Sequence, residues 1–109
     1  MAQETWRIER YVDEKGDRPF EKWLLGLDTK TQARIQLRLS RLAVGNFGDY
    51  KSLGGGLFEL RFFFGSGYRI YYTLAGQKVV LLLAGGTKRG QAKDIKIAKD
   101  LLARYKANL

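Results

Sequence analysis

The chain has 109 residues, 45% of them hydrophobic, with 20 Lys/Arg against 11 Asp/Glu for a net charge of +9, which predicts one domain over 1–109 with a modest core. Cysteine and histidine are both absent, which excludes disulfides, a thiolate nucleophile, the serine triad and almost every zinc site, and leaves acid–base chemistry to Glu, Asp, Lys, Arg or Tyr. No apolar run approaches the roughly 18 residues that span a bilayer, and Met1–Thr5 lacks the basic and apolar regions of a signal peptide, so a cytoplasmic chain with no membrane partner is expected.

Trp6–Val12 carries β-formers in partial alternation and predicts a first strand. Asp13–Asp17 is a turn, and Asp17 is positioned to cap a short helix with Pro19 in its first turn. Phe20, Trp23, Leu24 and Leu27 give that helix an apolar side, and Gly26 and Asp28 close it. A second helix is predicted from Thr29 to about Val44, with Ile35, Leu39 and Leu42 at i, i+4 and i+7 facing the core. Arg34, Arg38 and Arg41 run along another side. They read first as a solvated face, with contact to phosphates or an acidic partner as the functional alternative.

Gly45–Gly56 reads as a loop, and its triple glycine lacks the GK[ST] continuation of a phosphate cradle. Three strands follow, Leu57–Phe64, Tyr68–Leu74 and Lys78–Ala84, joined by loops short enough for hairpins. A last helix is predicted over Gln91–Lys106, apolar along Ile95, Ala98, Leu102 and Tyr105 and basic along Lys93, Lys96 and Lys99. The order β-α-α-β-β-β-α describes an α+β domain, a mainly antiparallel sheet packed by helices on one face.

The excess charge is uneven. Residues 1–50 hold 9 Lys/Arg and 8 Asp/Glu, whereas residues 51–109 hold 11 and 3. A basic face follows, suited to nucleic acid or another strongly acidic partner. If the Gly65-Ser66-Gly67 loop pairs Phe64 with Tyr68, Phe63 faces Arg69 and Arg61 faces Tyr71. Alternation then puts Leu60, Phe62, Phe64, Tyr68, Ile70 and Tyr72 on one face, a bed for the helices. The other face gathers Glu59, Arg61, Phe63, Arg69 and Tyr71. Neighbouring arginines repel unless an anion joins them, and aromatic rings between them suit stacked bases. Lys88 and Arg89 leave the last strand beside this face. The alternative is a set of ordinary exposed sheet residues in local salt bridges.

Phe58-Glu59-Leu60-Arg61, Gly67-Tyr68-Arg69-Ile70-Tyr71-Tyr72, Val79–Leu83 and Gly86-Thr87-Lys88-Arg89, in this order and spacing, resemble the RelE/ParE toxin superfamily. With Leu81–Gly86 followed by Asp94-Ile95-Lys96-Ile97-Ala98-Lys99, the nearest branch is the phage-derived, HigB-like addiction module killer group. The resemblance implies a RelE-like fold and the toxin of a type II toxin–antitoxin pair, an mRNA interferase acting on ribosome-bound mRNA. It implies attack by the ribose 2′-OH, leaving a 2′,3′-cyclic phosphate and a 5′-OH, with no metal or other cofactor.

On the same resemblance, Arg61, Arg69 and Lys88-Arg89 are the cations that orient the phosphate and stabilise charge on its oxygens. Glu59 stands where RelE carries a lysine and is a candidate general base, with Lys88 or Arg89 assisting the leaving group. The family's C-terminal tyrosine has no counterpart, since that region reads Asp94-Ile95; Tyr71 and Tyr105 are outside candidates for its role. Arg34, Arg38, Arg41, Lys51, Phe63, Tyr71, Lys93 and Lys96 are the candidate RNA contacts. The expected partners are the ribosome with its mRNA and a small antitoxin of helix-turn-helix type. A ParE-like inhibitor of DNA gyrase and a non-catalytic nucleic-acid-binding homologue are the alternatives.

Overall fold

Residues Thr5–Leu109 are described by a computed structural model; the N-terminal reading over Met1–Glu4 lies outside them. The elements in chain order are β1 (Arg7–Arg10), α1 (Pro19–Leu25), α2 (Thr29–Ala43), β2 (Tyr50–Gly54), β3 (Leu57–Arg61), β4 (Tyr68–Ala75), β5 (Val79–Thr87), a 3-10 turn (Lys88–Gly90) and α3 (Gln91–Ala107). The five strands form one sheet in the order β1-β5-β4-β3-β2, parallel between β1 and β5 and antiparallel elsewhere. This is a mixed α+β architecture of the RelE-like kind. No helix among the described residues is long and apolar enough to cross a membrane.

The helices do not share one face. Phe20 and Leu24 of α1 and Ile35, Leu39 and Leu42 of α2 pack against Leu60, Phe62, Ile70, Tyr72, Val80 and Leu82. On the opposite face, Ala98, Leu101 and Leu102 of α3 cover Leu57, Tyr71, Leu81 and Leu83. The expectation of a one-faced sheet is therefore corrected. The face that carries Glu59 and Arg69 in the central strands also carries apolar residues toward its other end, and these give α3 its seat.

The two-helix segment forms for local reasons. Asp28 caps α2 rather than closing α1: its carboxylate accepts from the Thr31 backbone N–H at 3.2 Å and the Thr31 hydroxyl at 2.6 Å. Asp17 does not cap α1, whose N-cap is Arg18 without a side-chain bond. Instead Asp13 folds the preceding turn, its Oδ1 accepting from the N–H groups of Lys15 and Asp17 at 2.9 and 2.8 Å.

Gly45–Gly56 is not wholly a loop, because Tyr50–Gly54 is the edge strand β2. Its residues are mostly exposed, so it carries little apolar alternation by which to be recognised. The β2–β3 turn needs its glycines: Gly54, Gly55 and Gly56 all have positive φ. The turn's carbonyls are tied down from across the fold, Gly55 by Lys106 Nζ at 2.9 Å and Gly56 by the Thr73 hydroxyl at 2.7 Å.

In the central hairpin the expected pairing is displaced by two residues. Arg61 faces Arg69, Glu59 faces Tyr71 and Leu60 faces Ile70. An even displacement keeps every side chain on its expected face. β3 stops at Arg61, three residues early, and Phe62–Gly67 makes a longer loop. β5 runs past Ala84 to Thr87, because β4 pairs with it as far as Tyr68↔Thr87, through an irregularity between Tyr71 and Tyr72.

Candidate functional site

The sheet order puts β3 and β4 side by side, so Arg61 and Arg69 are directly opposed. Directly paired residues on one face have Cβ atoms about 5 Å apart. The Nε of each arginine is buried without a hydrogen-bond partner, and each guanidinium has a carboxylate nearby only at ion-pair distance.

Arg61 is the accessible member, its side chain one-third exposed, with Nε 3.4 Å from Asp49 Oδ2. Arg69 is only 7% exposed, and its Nη1 lies 3.8 Å from Glu59 Oε1. That separation makes an ion pair without a close hydrogen bond. In a medium less polarisable than water, the Arg69 charge is therefore incompletely cancelled and acts from behind Arg61.

Glu59 is 1% exposed and does not reach solvent as a free carboxylate. Its Oε2 accepts from Gln91 Nε2 at 2.8 Å, which anchors the first residue of α3 to the central strands. Tyr71, opposite Glu59, is fully buried. Burial first, then the Glu59 carboxylate, pushes its hydroxyl well above the ordinary tyrosine range. Neither residue is part of an open binding face, because α3 covers that end of the sheet.

Asp94 completes this edge. It sits in the first turn of α3, half-buried, and its carboxyl is raised by burial and partly lowered by Lys93. It rests where Gly86 has no side chain: a Cβ there would lie 1.9 Å from Asp94 Oδ2. Gly86 is the β5 residue paired with Arg69. Gly85 is as tight on the opposite face, where a Cβ would meet Trp23 Cε3 at 2.1 Å. The Gly85-Gly86 pair thus lets α1 and α3 close on the sheet from both sides. Sequence reasoning passed over Gln91 and gave Asp94 no role; an amide and a carboxylate opening a helix beside a glycine pair were the available signals.

The remaining candidates divide into groups. Lys51 is exposed and pairs with Glu59 from β2, so it stands on the same face as Arg61 and Arg69. Lys88 and Arg89 are exposed on the 3-10 turn, which is held against the β3–β4 loop by the Lys88 N–H donating to Gly67 O at 2.9 Å. Lys51 thus shares the face of the arginine pair, and Lys88 and Arg89 lie on the turn that follows the β5 residues paired with Arg69 and Tyr68. Lys93 and Lys96 are exposed on α3, on the side away from buried Ala98 and Leu102.

Arg34, Arg38 and Arg41 belong to the α2 side of the sheet. Arg38 is a structural staple: Nη1 donates to Arg61 O and Nη2 donates to Asp49 O at 2.9 Å and to Phe47 O at 3.4 Å. Arg34 lies 3.7 Å over the Phe64 ring, and Arg41 is exposed. These arginines join Leu37 and Phe62–Phe64 around a groove of about 290 Å³. Tyr105, the other tyrosine considered, packs edge-on against Tyr11 at 6.3 Å, remote from the arginine pair.

With one accessible guanidinium, a second behind it and lysines around them, the arrangement can hold a phosphodiester and stabilise added charge on its oxygens. Comparison with known proteins places the chain in a family. Residues 22–104 match the family described as "Phage derived protein Gp49-like (DUF891)", and the chain belongs to it, a RelE-like, toxin-type family. It is also 49% identical, over 83 residues, to an uncharacterized protein of Haemophilus influenzae, covering 75% of this chain and 84% of that one.

Proposed function

We propose that this chain is the toxin of a phage-derived type II toxin–antitoxin pair and acts in the cytoplasm as a HigB-like, metal-independent endoribonuclease on ribosome-bound mRNA. The observation that supports this best is the opposed Arg61–Arg69 pair, whose Nε atoms are buried without a hydrogen-bond partner and whose carboxylate partners stand off at 3.4 and 3.8 Å. Like charges placed this way are relieved by a shared anion, and a scissile phosphate is such an anion.

In this reading Arg61 contacts a non-bridging phosphate oxygen, and the field of Arg69 favours the extra charge of the pentacoordinate transition state. The 2′-oxygen bonds to phosphorus as the bond to the 5′-oxygen breaks. The 2′-hydroxyl proton passes to a base, and the departing oxygen takes a proton, with Lys88 or Arg89 beside it. Glu59 serves as a positioning carboxylate for Arg69, since Arg69 and Gln91 already engage it. The antitoxin of the pair is a small helix-turn-helix protein that covers or distorts this basic surface.

Primer extension on an mRNA translated in a purified system tests the reading. New stops within codons that vanish without ribosomes, and that weaken by at least ten-fold in Arg61→Ala, are the expected result. Intact mRNA under active translation overturns it. The buried state of Glu59 and Tyr71 gives a second reading some support: a homologue that binds nucleic acid without cutting it. Salt-dependent RNA binding with no cleavage is its signature. Loss of supercoiling activity in a gyrase assay, with mRNA intact, would instead indicate a ParE-like inhibitor.

A further inference from the structure

Phe62, Phe63 and Phe64 are each approached by a guanidinium group, but with different results. Arg38 lies 4.7 Å over the Phe62 ring, which is buried. Arg34 lies 3.7 Å over the half-buried Phe64 ring. Phe63 is 77% exposed, and its only cationic neighbour of this kind among the described residues is Arg61, at 5.8 Å from the ring centroid. That distance is near the outer limit of a cation–π contact, so Arg61 borders the ring without covering it. No packing need accounts for the ring. It stands bare in the loop two residues beyond Arg61, its centroid 5.8 Å from that guanidinium.

Resting on the proposed ribonuclease reading, we infer that Phe63 is the stacking platform for an unpaired base of the RNA strand whose phosphate is held at Arg61. A flat apolar ring set among cations matches a nucleotide in both of its parts, the base on the ring and the phosphate on the guanidinium. The charge around the ring argues for this occupant. Arg34 and Arg41 line the adjoining groove with Phe63, and the half of the chain that carries Phe63 holds 11 Lys/Arg against 3 Asp/Glu. An apolar protein surface would have to bury those cations. A strand of phosphates neutralises them. Base stacking on an aromatic ring tolerates any base, so Phe63 contributes grip and phasing of the strand rather than sequence choice.

The test uses a single-stranded 2′-O-methyl oligoribonucleotide carrying one 2-aminopurine, which cannot be cut through its 2′-oxygen and whose fluorescence is quenched by stacking. Wild-type protein should bind it and quench it, with affinity falling as salt rises. Phe63→Ala and Phe63→Leu should each bind roughly ten-fold more weakly, lose the quenching and keep the slope of log affinity against log salt. Phe63→Trp should restore both. Arg61→Ala should reduce that slope by about 0.7, the loss of one phosphate contact to a single strand. Because the ring is exposed, these Phe63 variants are expected to keep the wild-type circular dichroism spectrum. Unchanged affinity and quenching in Phe63→Ala, with wild-type binding intact, would overturn the stacking role and point to a protein partner on this ring. No RNA binding by wild-type protein would overturn this inference, while the ribonuclease reading is decided separately by primer extension on translated mRNA.

Discussion

At the scale of single residues, the site is governed by what surrounds Glu59. A carboxylate that is 1% exposed, bonded to Gln91 and paired with Arg69, is suited to holding a cation and poorly suited to collecting a proton from substrate. Removing one partner of a buried ion pair costs about 3–5 kcal/mol, because the other charge is left behind. Glu59→Ala should therefore destabilise the protein strongly, as read by denaturant unfolding. Glu59→Gln keeps an acceptor for Gln91 and should fold, with cleavage reduced by lost alignment of Arg69. Its rate–pH profile should keep the wild-type shape at a lower plateau. Loss of an acidic limb would show that Glu59 is the base after all. That Arg61 and Arg69 share one face was legible in the sequence, since alternation survives a two-residue displacement of register; their direct pairing was not, because the expected register set Arg61 opposite Tyr71. The burial of Glu59, Arg69 and Tyr71 was not, because it depends on where α3 lands.

Among the elements, the legible ones announce themselves by period. Ile35, Leu39 and Leu42 mark α2 in sequence and are its buried stripe. β2 was illegible because an exposed edge strand needs no apolar alternation, only the free hydrogen-bonding edge of β3. The second helical layer was hidden for a different reason: the α3 face mixes Glu59, Arg61 and Arg69 with Leu57, Leu81 and Leu83, so it averages to a polar face. Two predictions belong here. The Thr31 hydroxyl first, then the Thr31 backbone N–H, lowers the pKa of Asp28. Its contribution to α2 is thus present above the ordinary aspartate value of 3.8 and is lost as pH falls through the lowered folded value. Asp28→Ala should reduce thermal stability at neutral pH and flatten the acid side of the stability profile, whereas Asp28→Asn should keep most of the cap. At the glycine pair, Gly85→Ala must displace the Trp23 ring and should destabilise by roughly 1–3 kcal/mol. Gly86→Ala meets the Asp94 side chain from Oδ2 at 1.9 Å to Cβ at 3.4 Å and must turn that one short side chain aside rather than a buried ring; it should unfold nearer to wild type while lowering cleavage more than Gly85→Ala does per unit of stability lost.

For the whole molecule, two cores share one sheet, and buried tyrosines report on both. Burial raises Tyr72 on the α2 side, and burial followed by Glu59 raises Tyr71 on the α3 side. Tyr11, next to the α3 core, is raised by burial and then by Glu14. Each holds its proton more tightly in the folded chain, so its contribution is complete below the unfolded tyrosine value of about 10. That contribution is lost as pH climbs through the raised folded values. A spectrophotometric titration should show Tyr71 and Tyr72 silent in the ordinary tyrosine range and Tyr11 ionising late. Tyr71 and Tyr72 should then ionise together with the loss of near-ultraviolet circular dichroism. Independent ionisation of Tyr71 or Tyr72 with the fold intact would mean that one of the cores admits water.

The glycine pair also has a genetic meaning. On the proposed activity, cells that survive expression of this chain are those carrying disabling mutations, and the obvious targets are Arg61 and Arg69. Gly85 and Gly86 add two positions where the smallest possible side chain disarms the protein without altering its charge. A collection of escape alleles should therefore include alanine, serine or valine at these codons, giving a map of where the two layers press closest.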